Sequence, residues 1–126
     1  MQSEFVTCLN CIDGRTQLPV IHWIKENYGV EYVDMITEGG IVGCLADKSF
    51  NIDNILNKVS ISIDQHGSEH IFIVGHDDCA GNPVNPTTHK KQIIDSVNRI
   101  KCHILSCKVT GLWVSNDFKV HKIKKE

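Results

Sequence analysis

Ile71-Phe72-Ile73-Val74-Gly75-His76-Asp77-Asp78-Cys79 runs four consecutive apolar residues into an imidazole and a thiol. An unbroken apolar run, as opposed to an alternating one, predicts a central parallel strand buried on both faces, with His76 to Cys79 at its C-terminal end. A second run has the same form. Phe5 to Leu9 reads as a short buried strand and delivers Cys11-Ile12-Asp13-Gly14-Arg15 into the polar loop that follows it, Asn10 to Gln17. In an open α/β sheet, strand ends lying side by side converge on a crevice at the topological switch point. For Cys11 to meet His76 and Cys79 there, the first and third strands must be neighbours, with the second strand on the far side of the first.

The remaining sequence supplies the connections. Pro19 suits the first turn of a helix whose apolar face is Val20, Ile21, Trp23 and Ile24 and which Gly29 ends. Val30 to Ile36 predicts a second strand, closed by a tight turn at Thr37-Glu38-Gly39-Gly40. Ile52, Ile55, Leu56, Val59 and Ile63 recur at helical spacing, with Asn51 or Asp53 as the cap and Gly67 as the stop. Beyond Pro83 and Pro86, the residues Ile93, Ile94, Val97, Ile100 and Ile104 mark a further helix. Val109 to Val114 and Phe118 to Ile123 form a closing strand pair around Ser115-Asn116-Asp117. Alternating strands and helices predict a three-layer α/β/α arrangement with a mostly parallel central sheet, in one domain spanning residues 1–126.

Bulk properties narrow the function classes. The 126 residues are 41% hydrophobic and 22% charged, with a net charge of -2. Such a chain lacks the basic excess that binding to nucleic acid or an anionic membrane requires. The Lys-rich end, Lys119 to Lys125, reads as a solvated edge. With no basic-then-apolar leader before Phe5 and no apolar stretch near the roughly 20 residues of a membrane span, the expected location is cytoplasmic. A reducing compartment in turn predicts that the six cysteines are thiols serving packing, metal or redox roles, not disulfides.

Cys11, His76 and Cys79 form a zinc-type donor set: thiolate and imidazole ligands suit Zn²⁺, and three protein ligands plus a water describe a catalytic site. Cys8 is the rival fourth ligand, because Cys8-Leu9-Asn10-Cys11 is a C-x-x-C. It lies inside the predicted strand, however, where a residue three positions earlier points to the opposite face. Two thiolates and a neutral imidazole cancel the charge of Zn²⁺, so a bound water is less acidic than on three histidines. Arg15 can add positive charge while its fork holds Asp13, and Asp13 can accept a hydrogen bond from that water. A loop-shaping salt bridge between the two is the plainer role for the same residues. The other histidines, His22, His66, His70, His89, His103 and His121, read as surface or capping residues. Of these His89, which follows the metal motif, ranks first as a proton shuttle.

Cys11-Ile12-Asp13-Gly14-Arg15 and His76-Asp77-Asp78-Cys79 resemble the C-x-D-x-R and H-x-x-C signature of β-class carbonic anhydrases, and the chain looks most like a compact subgroup of that family. The turn at Ile36 to Gly40, the segment Ser60 to Gly75 and the closing strands are similar to the family's as well. The resemblance implies zinc-dependent, reversible hydration of CO2 to bicarbonate by a zinc-bound hydroxide. Cys11, His76 and Cys79 would be the metal ligands, and Asp13 and Arg15 the dyad that orients the hydroxide. It also implies a homodimer or higher homo-oligomer, here without the N-terminal helical arm of larger relatives. Ala80 stands where the family usually has glycine, Gly14 where it has a small polar residue, and Glu38 where it has a neutral one. The alternatives are hydrolysis of a related electrophile such as carbonyl sulfide or carbon disulfide, and a non-catalytic zinc domain closed by Asp13 or Cys8.

Overall fold

The structure, a computed structural model, describes residues 3–124. Its elements in chain order are β1 (Phe5–Asn10), α1 (Gly14–Tyr28), β2 (Tyr32–Thr37), α2 (Ile41–Ala46), α3 (Asp53–His66), β3 (His70–His76), α4 (Pro86–His103), β4 (Lys108–Val114) and β5 (Val120–Lys122). They build one sheet of order β2-β1-β3-β4-β5. β1 pairs in parallel with both β2 and β3, β3 in parallel with β4, and β5 closes the sheet antiparallel to β4. The expected neighbourhood of the first and third strands is present, with Cys8 opposite Phe72 and Leu9 opposite Ile73.

Side-chain alternation divides the core into two layers. Val6, Cys8, Phe72, Val74, Leu112 and Val114 face α1 and pack with its Val20 and Ile24. Leu9, Ile71 and Ile73 face the other way and pack with Ile41, Leu45, Ile55, Val59, Ile93 and Ile100 from α2, α3 and α4. Cys8 is fully buried on the α1 side, and burial pushes its thiol far above its usual range, so it behaves as a small apolar residue.

Local signals account for most boundaries, with informative exceptions. α1 begins five residues before Pro19, which lies inside the helix and not in its first turn. The cause is Asp13: its carboxylate accepts the Arg15 N–H at 2.9 Å and so caps the helix earlier than the proline would. Gly29 ends α1 in the left-handed conformation, as expected. Asn51 acts from one residue outside the cap position, which is Ile52, its Oδ1 accepting the Asp53 N–H at 2.8 Å. Pro86 does not only break the chain; it opens α4 behind the Asn85 cap. α2 has no counterpart in the sequence reading, since six residues are too few to show a period. Packing holds it instead. Ile41, Val42 and Leu45 are buried, and the Arg99 guanidinium donates to the carbonyls of Leu45, Asp47 and Phe50 at 3.2, 2.8 and 2.8 Å.

Among the described residues no helix is long and apolar enough to cross a membrane.

Candidate metal centre

The C-terminal ends of β1 and β3 meet on one point. Cys11 Sγ and Cys79 Sγ are 3.9 Å apart, and ligand atoms of Cys11, His76 and Cys79 all lie within 4.8 Å of one another, each residue being buried. Two sulfurs about 2.3 Å from a common tetrahedral ion would be separated by about 3.8 Å, so the observed spacing fits a shared zinc-sized ion. His76 is the last residue of β3, and its Nδ1 donates to the Asp77 carbonyl at 2.8 Å. Its Nε2 is therefore the free lone pair. That atom is buried without a hydrogen-bond partner, the condition expected of a nitrogen whose partner is a metal.

Backbone N–H groups surround the sulfurs. Gly40 donates to Cys11 Sγ at 3.4 Å. Burial and the adjacent Cys11 sulfur push the Cys79 thiol up, while the N–H groups of Gly81 and Asn82 act in the opposite sense. The Gly40 and Gly81 backbones touch: a Cβ on Gly40 would lie 2.4 Å from the Gly81 oxygen. The Gly39-Gly40 turn is legible in the sequence, but its contact with Cys11 is not, nor is any role for Gly81 and Asn82. Nothing local marks a glycine as the partner of a loop forty residues away.

The loop after β1 is pinned at both ends. Buried Asn10 accepts the Cys11 N–H at 2.9 Å, and Gln17 donates to the Cys11 carbonyl at 2.9 Å. Asp13 and Arg15 face each other as a fork: Nε donates to Oδ1 at 3.0 Å and an Nη to Oδ2 at 2.6 Å. Oδ2 also lies 4.0 Å from His76 Nε2. The guanidinium, by its hydrogen bond above all, holds the Asp13 carboxyl down at about 2, while the carboxylate raises Arg15 further.

Because the folded value for Asp13 lies below that of an unfolded aspartate, its stabilising contribution is complete above about pH 4 and is lost as the pH falls toward 2. Asp13→Asn should therefore flatten the acid-unfolding profile between about pH 4 and 2, followed by circular dichroism. An unchanged profile would mean that the pair contributes nothing to acid stability.

Two expectations fail here. His89 is not a surface residue: it is 2% exposed, lying edge-on to Trp113 with its ring 6.5 Å from that of His76. Gly75 makes the space, since a Cβ there would meet His89 Nε2 at 2.8 Å. Burial lowers its pKa to about 4, so at neutral pH the ring is mostly neutral. His70 is also half-buried, stacked on Phe72, with burial lowering it to about 4.

Beside the cluster opens a cleft of about 630 Å³, lined by Arg15, His76, Cys79, Val84, Val114 and Phe118 among others. Asp77 and Asp78 also line it. Asp78 lies largely in solvent, its carboxylate 3.4 Å from an Arg15 Nη.

The protein thus carries a Cys-His-Cys cluster at the switch point between β1 and β3 of a mostly parallel five-stranded sheet. Residues 1–124 match the family described as "Putative carbonic anhydrase", and the chain belongs to that family. No curated protein matches it in sequence. Among solved structures, a carbonic anhydrase from Streptococcus mutans is similar with a TM-score of 0.67 and 12% identity, over 98% of this chain and 82% of that one. A carbonic anhydrase from Glaciozyma antarctica gives 0.64 and 14%, over 97% and 82%. One of two tetrameric β-carbonic anhydrases from Sordaria macrospora gives 0.66 and 11%, over 99% and 83%. At these identities the likeness is one of fold.

Proposed function

We propose that this protein is a zinc-dependent carbonic anhydrase, interconverting CO2 and bicarbonate in the cytoplasm as a homo-oligomeric assembly of one-domain subunits spanning residues 1–126. The observation that carries the reading is the buried, unpartnered His76 Nε2 grouped with two sulfurs 3.9 Å apart, beside a carboxylate already engaged by arginine. Cys11, His76 and Cys79 would hold the ion. Bound there, zinc supplies a Lewis acid and a water acidified enough to act as a nucleophile near neutral pH.

The chain's own residues do the rest. The Asp77 carbonyl fixes the His76 tautomer and orients the ring. Arg15 keeps Asp13 ionised through the physiological range, so its Oδ2 is always an acceptor, positioned to take a hydrogen bond from a water beside His76. The fork and the α1 cap also restrain Asp13, whose Oδ1 accepts from the Arg15 backbone N–H and Nε and whose Oδ2 accepts from an Arg15 Nη. This favours a site with an exchangeable position over one closed by Asp13. The apolar residues of the cleft suit a small uncharged substrate such as CO2.

Stopped-flow CO2 hydration by zinc-loaded protein tests the reading, with saturable turnover as the expected result. A rate at the buffer background at both neutral and alkaline pH would overturn it. Asp13→Asn and Arg15→Ala should each lower turnover by about 10- to 100-fold, the usual effect of losing a group just outside the metal's ligands. Zinc content by elemental analysis should stay at the wild-type level. Loss of zinc from Arg15→Ala would instead mean that the pair serves only to shape the loop.

A further inference from the structure

Only two non-glycine residues of the described chain have left-handed backbone, Asp78 at φ 55 and Phe118 at φ 60, and both line the cleft beside the candidate metal centre. Asp tolerates this conformation because its short side chain can bond locally; a bulky ring does not. Phe118 occupies the position of the β4–β5 turn that follows the tight bend, its N–H donating to the Ser115 carbonyl at 2.9 Å while the Ser115 N–H donates to Lys119 at 3.0 Å. In hairpins of this kind the left-handed residue is ordinarily glycine. An aromatic residue there is unfavourable for the turn and leaves a large apolar side chain 45% exposed at the edge of a cleft. Strain of this kind collects at functional sites. Val84, itself 38% exposed, lines the same cleft.

The charges of the cleft point the same way. Asp77 and Asp78 line it, and the one Lys or Arg among its described lining residues, Arg15, already has Asp13 in its fork and Asp78 at its edge. The lining is mixed, with Thr16, Ser115 and Asn116 as well as apolar side chains, but a small hydrated anion entering would face the two carboxylates with Arg15 already engaged, and would lose water where Val84 and Phe118 stand. A neutral, weakly hydrated molecule meets neither cost.

We propose that Phe118 is the specificity-determining residue of this cleft, its ring and Val84 forming an apolar wall that, with Asp77 and Asp78, favours a neutral electrophile over small hydrated anions. The inference rests on the carbonic anhydrase reading for the identity of the neutral substrate, but its selectivity can be measured without turnover.

Phe118→Asn supplies a residue that accepts left-handed backbone and removes the apolar wall; Phe118→Leu keeps an apolar side chain in the strained position. Formate, a planar monoanion close to bicarbonate in shape, serves as the binding probe on zinc-loaded protein by titration calorimetry. Phe118→Asn should keep or raise Tm and retain zinc. Its kcat/KM for CO2 should fall about tenfold through KM, and formate should bind about tenfold tighter, at the low end of the range one apolar contact contributes to discrimination. Phe118→Leu should return both quantities toward wild type. Phe118→Asn that is more stable yet leaves KM and formate affinity within twofold of wild type would overturn the proposal, leaving the ring as a turn residue only. If the wild type shows no CO2 hydration but formate affinity still shifts in Phe118→Asn and not in Phe118→Leu, the carbonic anhydrase reading fails and the selectivity assignment stands.

Discussion

Cys79→Ser is expected to leave the protein folded but without zinc after dialysis, with CO2 hydration at the buffer rate. Cys79 is buried but lies outside both hydrophobic clusters, and serine is close to it in size, so the fold should tolerate the change. The metal does depend on its charge. Burial and Cys11 raise the Cys79 thiol, the Gly81 and Asn82 N–H groups offset part of this, and a bound cation would supply the rest of the stabilisation of a thiolate. A serine hydroxyl stays protonated near neutral pH and offers a neutral, harder donor in place of an anionic soft one. Loss of a group outside the ligand set costs about 10- to 100-fold in metal affinity, and loss of a ligand should exceed that. Elemental analysis and far-ultraviolet circular dichroism on the same sample separate loss of metal from loss of fold. Cys8→Ala is the counterpart. It removes the other thiol of the C-x-x-C from the α1-side core and should keep one zinc per chain. Zinc retained by Cys79→Ser and lost by Cys8→Ala would transfer the third ligand from Cys79 to Cys8 and overturn this assignment of the site.

The second large effect is expected at a residue with no chemistry of its own. Gly40 and Gly29 have nearly the same left-handed backbone, φ 61 and 64, but different surroundings. A Cβ on Gly29 would meet nothing within 4 Å, so Gly29→Ala should cost only the conformational term, about 1 kcal/mol. On Gly40 the same atom would lie 2.4 Å from the Gly81 oxygen and 2.5 Å from its carbon, both backbone and unable to rotate away. Overpacking of this kind adds about 1–3 kcal/mol, so Gly40→Ala should cost roughly 3 kcal/mol, a large part of the stability of an ordinary domain. It would also move the N–H that meets Cys11 Sγ and should weaken zinc binding, which Gly29→Ala should not. Urea denaturation of both variants checks the difference. Equal losses would show that the two loops do not carry each other.

The contrast between those glycines marks what the sequence could and could not convey. Gly29 is readable because its role is local: it ends a helix whose apolar face precedes it. Gly39-Gly40 is readable as a turn for the same reason. Its second role, bringing an N–H to Cys11 against Gly81, depends on two loops that meet only after β1 and β3 are in register. His89 shows the same limit from the other side. Its position after the metal motif suggested an exposed proton carrier, but the absence of a side chain at Gly75 lets α4 bring the ring into the core beside Trp113. Pro19 misled for a different reason, since a side-chain cap from Asp13 outranks a proline's preference for the first turn.

By itself the sequence determined the layer order and the strand neighbours, because apolar periodicity reports which faces are buried, and two motifs at strand ends must be adjacent to share anything. It also determined the residue types able to hold a metal, since donor chemistry belongs to the side chain. Only the tertiary structure decided which atoms are left without partners, which loops press on each other, and which ring must adopt an unfavourable backbone at the edge of the cleft. Those are properties of distances between segments distant in sequence, and they are set by packing, which no local pattern records.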